Sequence, residues 1–243
     1  MTIKTIPIFH QFFDPVSSTY TYCLATGEGR EAIIIDPVKD QVAKYGEFLE
    51  RHEIKLVAAI DTHLHADHIT ATGSLRKSNQ CPIMMGQETA AECVDISFSD
   101  GDYYDFDGID FKAIYTPGHT DDSYCFYINE HYLFTGDTLL INGTGRTDFQ
   151  HGNAHDQYHS LFEKVLTLPE ETLVYPAHDY NGQTSSSIGH EKQHNPRLQV
   201  ENEADYVDMM NNLNLPRPKQ MDVAVPANKL CGLSENELTN GEV

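Results

Sequence analysis

The sequence predicts an α/β fold from three observations. Apolar, β-branched runs alternate with stretches of helical period through the first half. Three short strand-like runs then follow one another with only turns between them, and several apolar runs end abruptly in metal-ligand side chains. At 243 residues, with 40% hydrophobic and 22% charged positions, the composition is that of an ordinary globular chain with a sizeable core. No repeat, low-complexity tract or flexible linker interrupts it. One domain over residues 1–243 is expected, with the tail, residues 181–243, packed on it.

Strand-like pieces open the chain at Ile6 to Phe13 and Thr19 to Ala25, separated by the turn-prone Asp14-Pro15. Glu31 to Asp36 is a β-branched run closed by Pro37. Gln41 to His52 places Val42, Tyr45, Phe48 and Leu49 at helical spacing, and Lys55 to Ile60 is the next strand. Helix is expected over Ile69 to Lys77 despite Gly73, strand over Cys81 to Met85, and a short helix over Gln87 to Cys93. After an acidic loop, Ser99 to Asp110, the runs Phe111 to Tyr115, Ser123 to Ile128 and His131 to Phe134 read as an antiparallel meander. His155 to Leu166 reads as helix, Thr172 to Tyr175 as strand and Glu201 to Asn211 as helix, followed by a Pro-punctuated segment, Leu215 to Pro226.

The formal charge of -21, from 37 acidic against 16 basic residues, opposes binding to nucleic acid or an anionic membrane surface. No run approaches the length of a membrane span. The first residues, MTIKTIPIFHQFFDP, show neither a secretory apolar core nor a transit-peptide pattern. Five widely spaced cysteines, Cys23, Cys81, Cys93, Cys125 and Cys231, form no CxxC and are odd in number. They read as small buried hydrophobes in a reduced, cytoplasmic compartment.

The stretch Leu56 to Ile69, LVAAIDTHLHADHI, crowds His63, His65, Asp67 and His68 into six positions where a buried strand should surface. In extended chain His63 and His65 point the same way, while Asp67 and His68 are expected at the start of the next helix. Later stretches repeat the form: TPGHT presents His119, TGDT presents Asp137 and PAHD presents His178. Each is weak alone, but the ordered set HxHxDH, PGHT, GD, AHD is specific for a metal site.

That set resembles the metallo-β-lactamase superfamily, which implies an αββα sandwich with the metal site at the edge between two mixed sheets. Filling of all seven superfamily positions would permit a two-zinc hydrolase. The stretches THLHADHITATGSLR, GTGRTDFQHG, AHDYNG, HNPRL and NLNLPRPKQMDVAVPAN are similar to those of persulfide dioxygenases, across most of the chain. Glyoxalase II enzymes share the ligands but carry a longer helical C-terminal region, unlike the short tail expected here to contain strand. The resemblance implies one iron(II) per chain on His63, His119 and Asp137, oxidising the terminal sulfur of glutathione persulfide with O2 to sulfite and glutathione. Three protein ligands on one face leave three positions open. His65, Asp67, His68 and His178 are then supporting groups or relics of a second metal site.

The resemblance also implies a glutathione contact for Arg146, and an anionic substrate approaching an acidic protein independently needs a local guanidinium. Tyr180 matches a tyrosine near the substrate, Asp179 is expected to support the site, and Thr144 stands where the family often has cysteine. Two other classes stay open: a two-zinc hydroxyacylglutathione hydrolase, and a binding protein without catalysis. The sequence leaves the oligomeric state open, a homodimer included.

Overall fold

The β-branched runs of the first half build a six-stranded mixed sheet in the computed structural model, which describes residues 4–218, 220–234 and 236–237. Its strands are β1 (Ile8–Asp14), β2 (Thr19–Ala25), β3 (Glu31–Ile35), β4 (Lys55–Ile60), β5 (Ile83–Gly86) and β6 (Ile96–Phe98), hydrogen-bonded in that order. β1 to β3 are antiparallel, and β3 to β6 are parallel. Parallel neighbours need crossover connections. Helix α1 (Val42–Arg51) returns the chain from β3 to β4, and α2 (Thr72–Asn79) returns it from β4 to β5. Tyr45 and Leu49 of α1 and Leu75 of α2 join Ile34, Leu56 and Ala59 in one buried cluster. Tyr45 is also tied by its hydroxyl, which accepts from Val38 N at 2.9 Å.

The second sheet contains β7 (Tyr103–Phe106), β8 (Ile109–Tyr115), β9 (Tyr124–Ile128), β10 (Tyr132–Gly136), β13 (Leu173–Pro176) and β14 (Ser186–Ser187), in the order β14-β13-β10-β9-β8-β7. β11 (Leu139–Leu140) and β12 (Gly143–Thr144) pair separately. β8, β9 and β10 are the expected antiparallel meander, and β13 adds parallel to β10. Helices α3 (Ala154–His159), α4 (Ile188–His194) and α5 (Glu203–Asn211) supply Ala154, Ile188, Tyr206 and Met210 to a cluster with Cys125, Leu133 and Val174. A further helix, α6 (Met221–Lys229), follows despite Pro226 in its interior.

The chain divides into two compact units, a first built on Asp110–Pro216 and a second built on Ile6–Phe98 with the described residues after Arg217. No described helix is long and apolar enough to cross a membrane.

Several expectations need correction. The expected strand of the tail is only the two-residue β14, and its longer regular elements are helices. Asp67 and His68 lie in irregular chain, because α2 starts only at Thr72. Gln87 to Cys93 is not helical: its polar backbone groups take tertiary partners, Glu92 N donating to Lys229 O at 2.8 Å and Cys93 O accepting from Arg76 at 3.0 Å. The acidic loop contains β7. Cys93 and Cys231, read as lone hydrophobes, form a disulfide across 138 positions, a separation at which no local spacing signals a pair. That bridge weakens the cysteine argument for a reduced compartment. Cys23, Cys81 and Cys125 are free and buried, as expected.

Candidate metal centre

In the second unit, β4 delivers the chain into an irregular loop whose side chains are organised by two buried carboxylates. Asp36, just beyond β3, accepts from Thr62 N at 2.7 Å and from Thr62 Oγ1 at 3.0 Å. With the Thr62 hydroxyl proton so committed, His63 Nδ1, 2.9 Å from Thr62 Oγ1, is the donor in that contact. That tautomer leaves Nε2 of His63 as the nitrogen able to bind a metal. Asp36 Oδ1 also lies 3.1 Å from His65 Nε2, while the buried Nδ1 of His65 has no hydrogen-bond partner. An imidazole anchored by a carboxylate at one nitrogen and open at the other is the usual arrangement of metal-site histidines.

Burial disfavours the His65 imidazolium, but the Asp36 carboxylate outweighs it and raises the pKa to about 9. Burial pushes Asp61 up to about 7, with His65 pulling the other way and Asp36 adding to the rise. Thr70 and Thr72 donate their hydroxyls to Asp61 at 3.1 and 3.5 Å. His68 Nδ1 meets Asp67 Oδ2 at 2.9 Å, beside Thr19 Oγ1. His63 and His65 have ring centroids 4.1 Å apart, and His65 and His68 are 4.4 Å apart. One donor atom from each of His65, Asp67 and His68 lies within 4.8 Å of the others. The structure thus gathers all four residues of the dense motif.

In the first unit, one candidate ligand follows each of three strands. His119 comes after β8 and donates its Nδ1 proton to the Arg146 carbonyl at 2.7 Å, which makes Nε2 the ligand atom, 3.5 Å from Asp137 Oδ2. Asp137 follows β10, and its Oδ1 is taken at 2.6 Å by Nδ1 of His178, which follows β13. Tyr180 stacks on the His178 ring at 6.2 Å and is 72% exposed. Asp179 accepts from Asn181 N and Gln183 N, closing the turn that carries Tyr180.

Gly145 explains part of the GTGRTDFQHG stretch. Its amide donates to Asp137 O at 2.8 Å, and a Cβ there would stand 2.1 Å from that oxygen and 2.8 Å from His119 Nδ1. Gln157 in turn holds Gly145 O at 3.1 Å and accepts from Tyr206. Arg146 forks onto Asp148 at 2.6 and 2.8 Å and donates to the carbonyls of Pro216 and Leu215. Its guanidinium lies 4.6 Å from the Phe149 ring centroid. The Arg146 hydrogen bonds and charge hold the Asp148 carboxyl below its ordinary value, against a smaller opposing effect of burial.

Sequence reasoning missed the groups that orient these ligands. Asp36 could have been found, since EAIIID has the same strand-then-carboxylate form as the ligand motifs. Asp61 sits inside the central motif, two positions ahead of His63, and could have been found there too. Gly145, Gln157 and Asn228 carry no signal of their own; only the folded chain shows what they touch.

The profile of the metallo-beta-lactamase superfamily matches residues 15–178. Fold and donor set therefore define an enzyme of this superfamily with candidate metal-binding residues. Human mitochondrial persulfide dioxygenase ETHE1 is 44% identical over 228 residues, spanning 93% of this chain and 89% of the human protein. The crystal structure of ETHE1 from Myxococcus xanthus matches with a TM-score of 0.90 at 46% identity, over 93% of this chain and 100% of that one. A probable hydroxyacylglutathione hydrolase of Schizosaccharomyces pombe is 33% identical over 199 residues, spanning 80% of this chain and 75% of that protein. The chain belongs to the persulfide dioxygenase family.

Proposed function

We propose that the chain oxidises the terminal sulfur of glutathione persulfide with both atoms of O2, giving sulfite and glutathione after hydrolysis by water, at one iron(II) held by His63, His119 and Asp137. The observation that carries this reading is the 44% identity to human persulfide dioxygenase over 93% of this chain, with Asp137 placed between His178 and His119 as a carboxylate ligand requires. The donor set fits ferrous iron: two imidazoles whose Nδ1 positions are committed elsewhere, and one carboxylate oxygen. Iron, when bound, supplies the redox chemistry that couples O2 to the persulfide sulfur.

The protein's own groups do the rest. Thr62 and the Arg146 carbonyl fix the tautomers of His63 and His119, and His178 fixes the carboxylate plane of Asp137. Arg146 is the proposed contact for a glutathione carboxylate, which would compete with Asp148 for the same fork. Tyr180, exposed beside His178, is the proposed second contact.

The proximity of His65, Asp67 and His68 favours one other reading, a second metal ion and thioester hydrolysis. Two substrates separate the readings. Glutathione persulfide should drive O2 uptake and sulfite release, glutathione alone should give none, and S-lactoylglutathione should be hydrolysed slowly. Rapid hydrolysis of the thioester without persulfide-dependent O2 uptake would replace the dioxygenase reading with the hydrolase.

A further inference from the structure

We propose that Asn228, carried by α6, is a positioning residue for the ligand-bearing loop, and that the Cys93–Cys231 bridge is the covalent anchor that keeps it there. The inference rests on the reading that this loop serves a metal. Between β4 and α2 the chain joins no sheet; the isolated bridge of Thr70 with Val38 ties its far end, and other buried carbonyls and amides of the loop must be satisfied individually. Asn228, 2% exposed, does this for three of them at once. Its Nδ2 donates to His65 O at 2.9 Å and to His68 O at 2.8 Å, and its Oδ1 accepts from Thr70 N at 2.9 Å.

A carboxamide suits this task because it presents two donors and an acceptor in one plane. Aspartate has the same shape but would set acceptors against two carbonyl oxygens, and alanine would leave three backbone groups unmatched. The contacts run from His65 to Thr70, so Asn228 sets the backbone from which His65, Asp67 and His68 project and borders that of His63, the loop's proposed iron ligand.

The segment after Asn228 is fastened on every side. Gly73 N donates to Cys231 O at 3.0 Å, and Lys39 Nζ donates to Gly232 O. Gly232, at φ +71°, lies so close to the loop that a Cβ would stand 2.1 Å from Thr70 O. Glu92 N donates to Lys229 O, and the neighbouring Cys93 is bonded to Cys231, with Cα atoms 6.1 Å apart. A crosslink between positions so far apart in sequence acts chiefly by limiting the freedom of the undocked tail.

The test compares Asn228→Ala, Asn228→Asp, Cys93→Ser and, as a stability control, Phe48→Ala in the α1 packing. Iron-loaded full-length protein is mixed with excess chelator, and the release rate is read with the melting temperature. Hydrogen exchange of the Thr70 amide is read in the metal-free chain. Release should accelerate by about ten-fold or more in both Asn228 variants, corresponding to loss of at least one buried hydrogen bond. Cys93→Ser should give a smaller acceleration, and Phe48→Ala none, although it melts lower. Thr70 exchange should quicken in the Asn228 variants and, less, in Cys93→Ser, but not in Phe48→Ala. Unchanged release and exchange in Asn228→Asp, or equal acceleration in Phe48→Ala, would overturn the proposal. If Asn228→Ala does not fold, the near-isosteric Asn228→Asp still decides it through Thr70 exchange. A chain that binds no iron yet shows the exchange pattern would defeat the metal reading and leave the clamp standing.

Discussion

The two ligand-bearing regions are held by different means. After β4, four ligand-type side chains are packed into six positions of irregular chain, and remote groups hold them: Asp36 from beyond β3, Asp61 beneath, and Asn228 from the tail. In the first unit each ligand follows its own strand, and the ligands are held by main chain and by one another, through the Arg146 carbonyl, the His178–Asp137 bond and the close approach of Gly145. A dense motif saves chain but concentrates histidine and carboxylate out of water, where each group needs a partner. A dispersed motif inherits its rigidity from the sheet and requires only that nothing intrude. The first arrangement is vulnerable to loss of charge or hydrogen bonds, the second to added volume.

That contrast orders the expected effects. Asp36→Ala should be the most damaging, because it strands a buried His65 and unties Thr62; removing one partner of a buried pair costs about 3–5 kcal/mol. Gly145→Ala should follow at about 1–3 kcal/mol, as one added methyl meets backbone that can only shift. Chemical denaturation measures both, and a larger loss in Gly145→Ala would invert the contrast.

Arg146→Ala should cost some stability, since it removes the bonds to Asp148, Pro216 and Leu215, and should raise KM for glutathione persulfide more than it lowers kcat, since a carboxylate contact is made alike in ground and transition states. Arg146→Lys should restore only part of the binding. Asp148→Asn sharpens the point: removing the competing carboxylate should lower KM, and an unchanged KM in all three variants would remove Arg146 from the substrate site.

The smallest effect is one of pH. Arg146 holds the Asp148 carboxyl below its unfolded value, so the pair's contribution is complete above about pH 4 and is lost as pH falls through the lowered folded pKa. Carbon NMR titration of Asp148 should give a midpoint under 3.8 in the native chain and an upward move in Arg146→Ala.

Much of this was legible from residues. The strands β1 to β5 and the meander announce themselves by β-branched runs and turns, and the ligands by their position after those runs. What stayed hidden depends on distance in sequence. Asn228 meets His65 from 163 positions away, and Cys93 meets Cys231 from 138. No local pattern encodes such pairs. Residues 87–93 mislead for a related reason: tertiary hydrogen bonds to Lys229 and Arg76 override a helical composition. α6 was obscured by Pro226, which lowers local helix propensity without preventing a helix tied down by Asn228 and Cys231.

Metal analysis of protein purified anaerobically tests the proposed mononuclear centre most directly, in the native chain and in His63→Ala, His119→Ala, Asp137→Ala and His178→Ala. The account expects one iron per chain, lost in the first three variants and largely retained in the fourth, where a group that only orients Asp137 is removed. Two zinc ions per native chain, or complete loss of metal in His178→Ala, would contradict it.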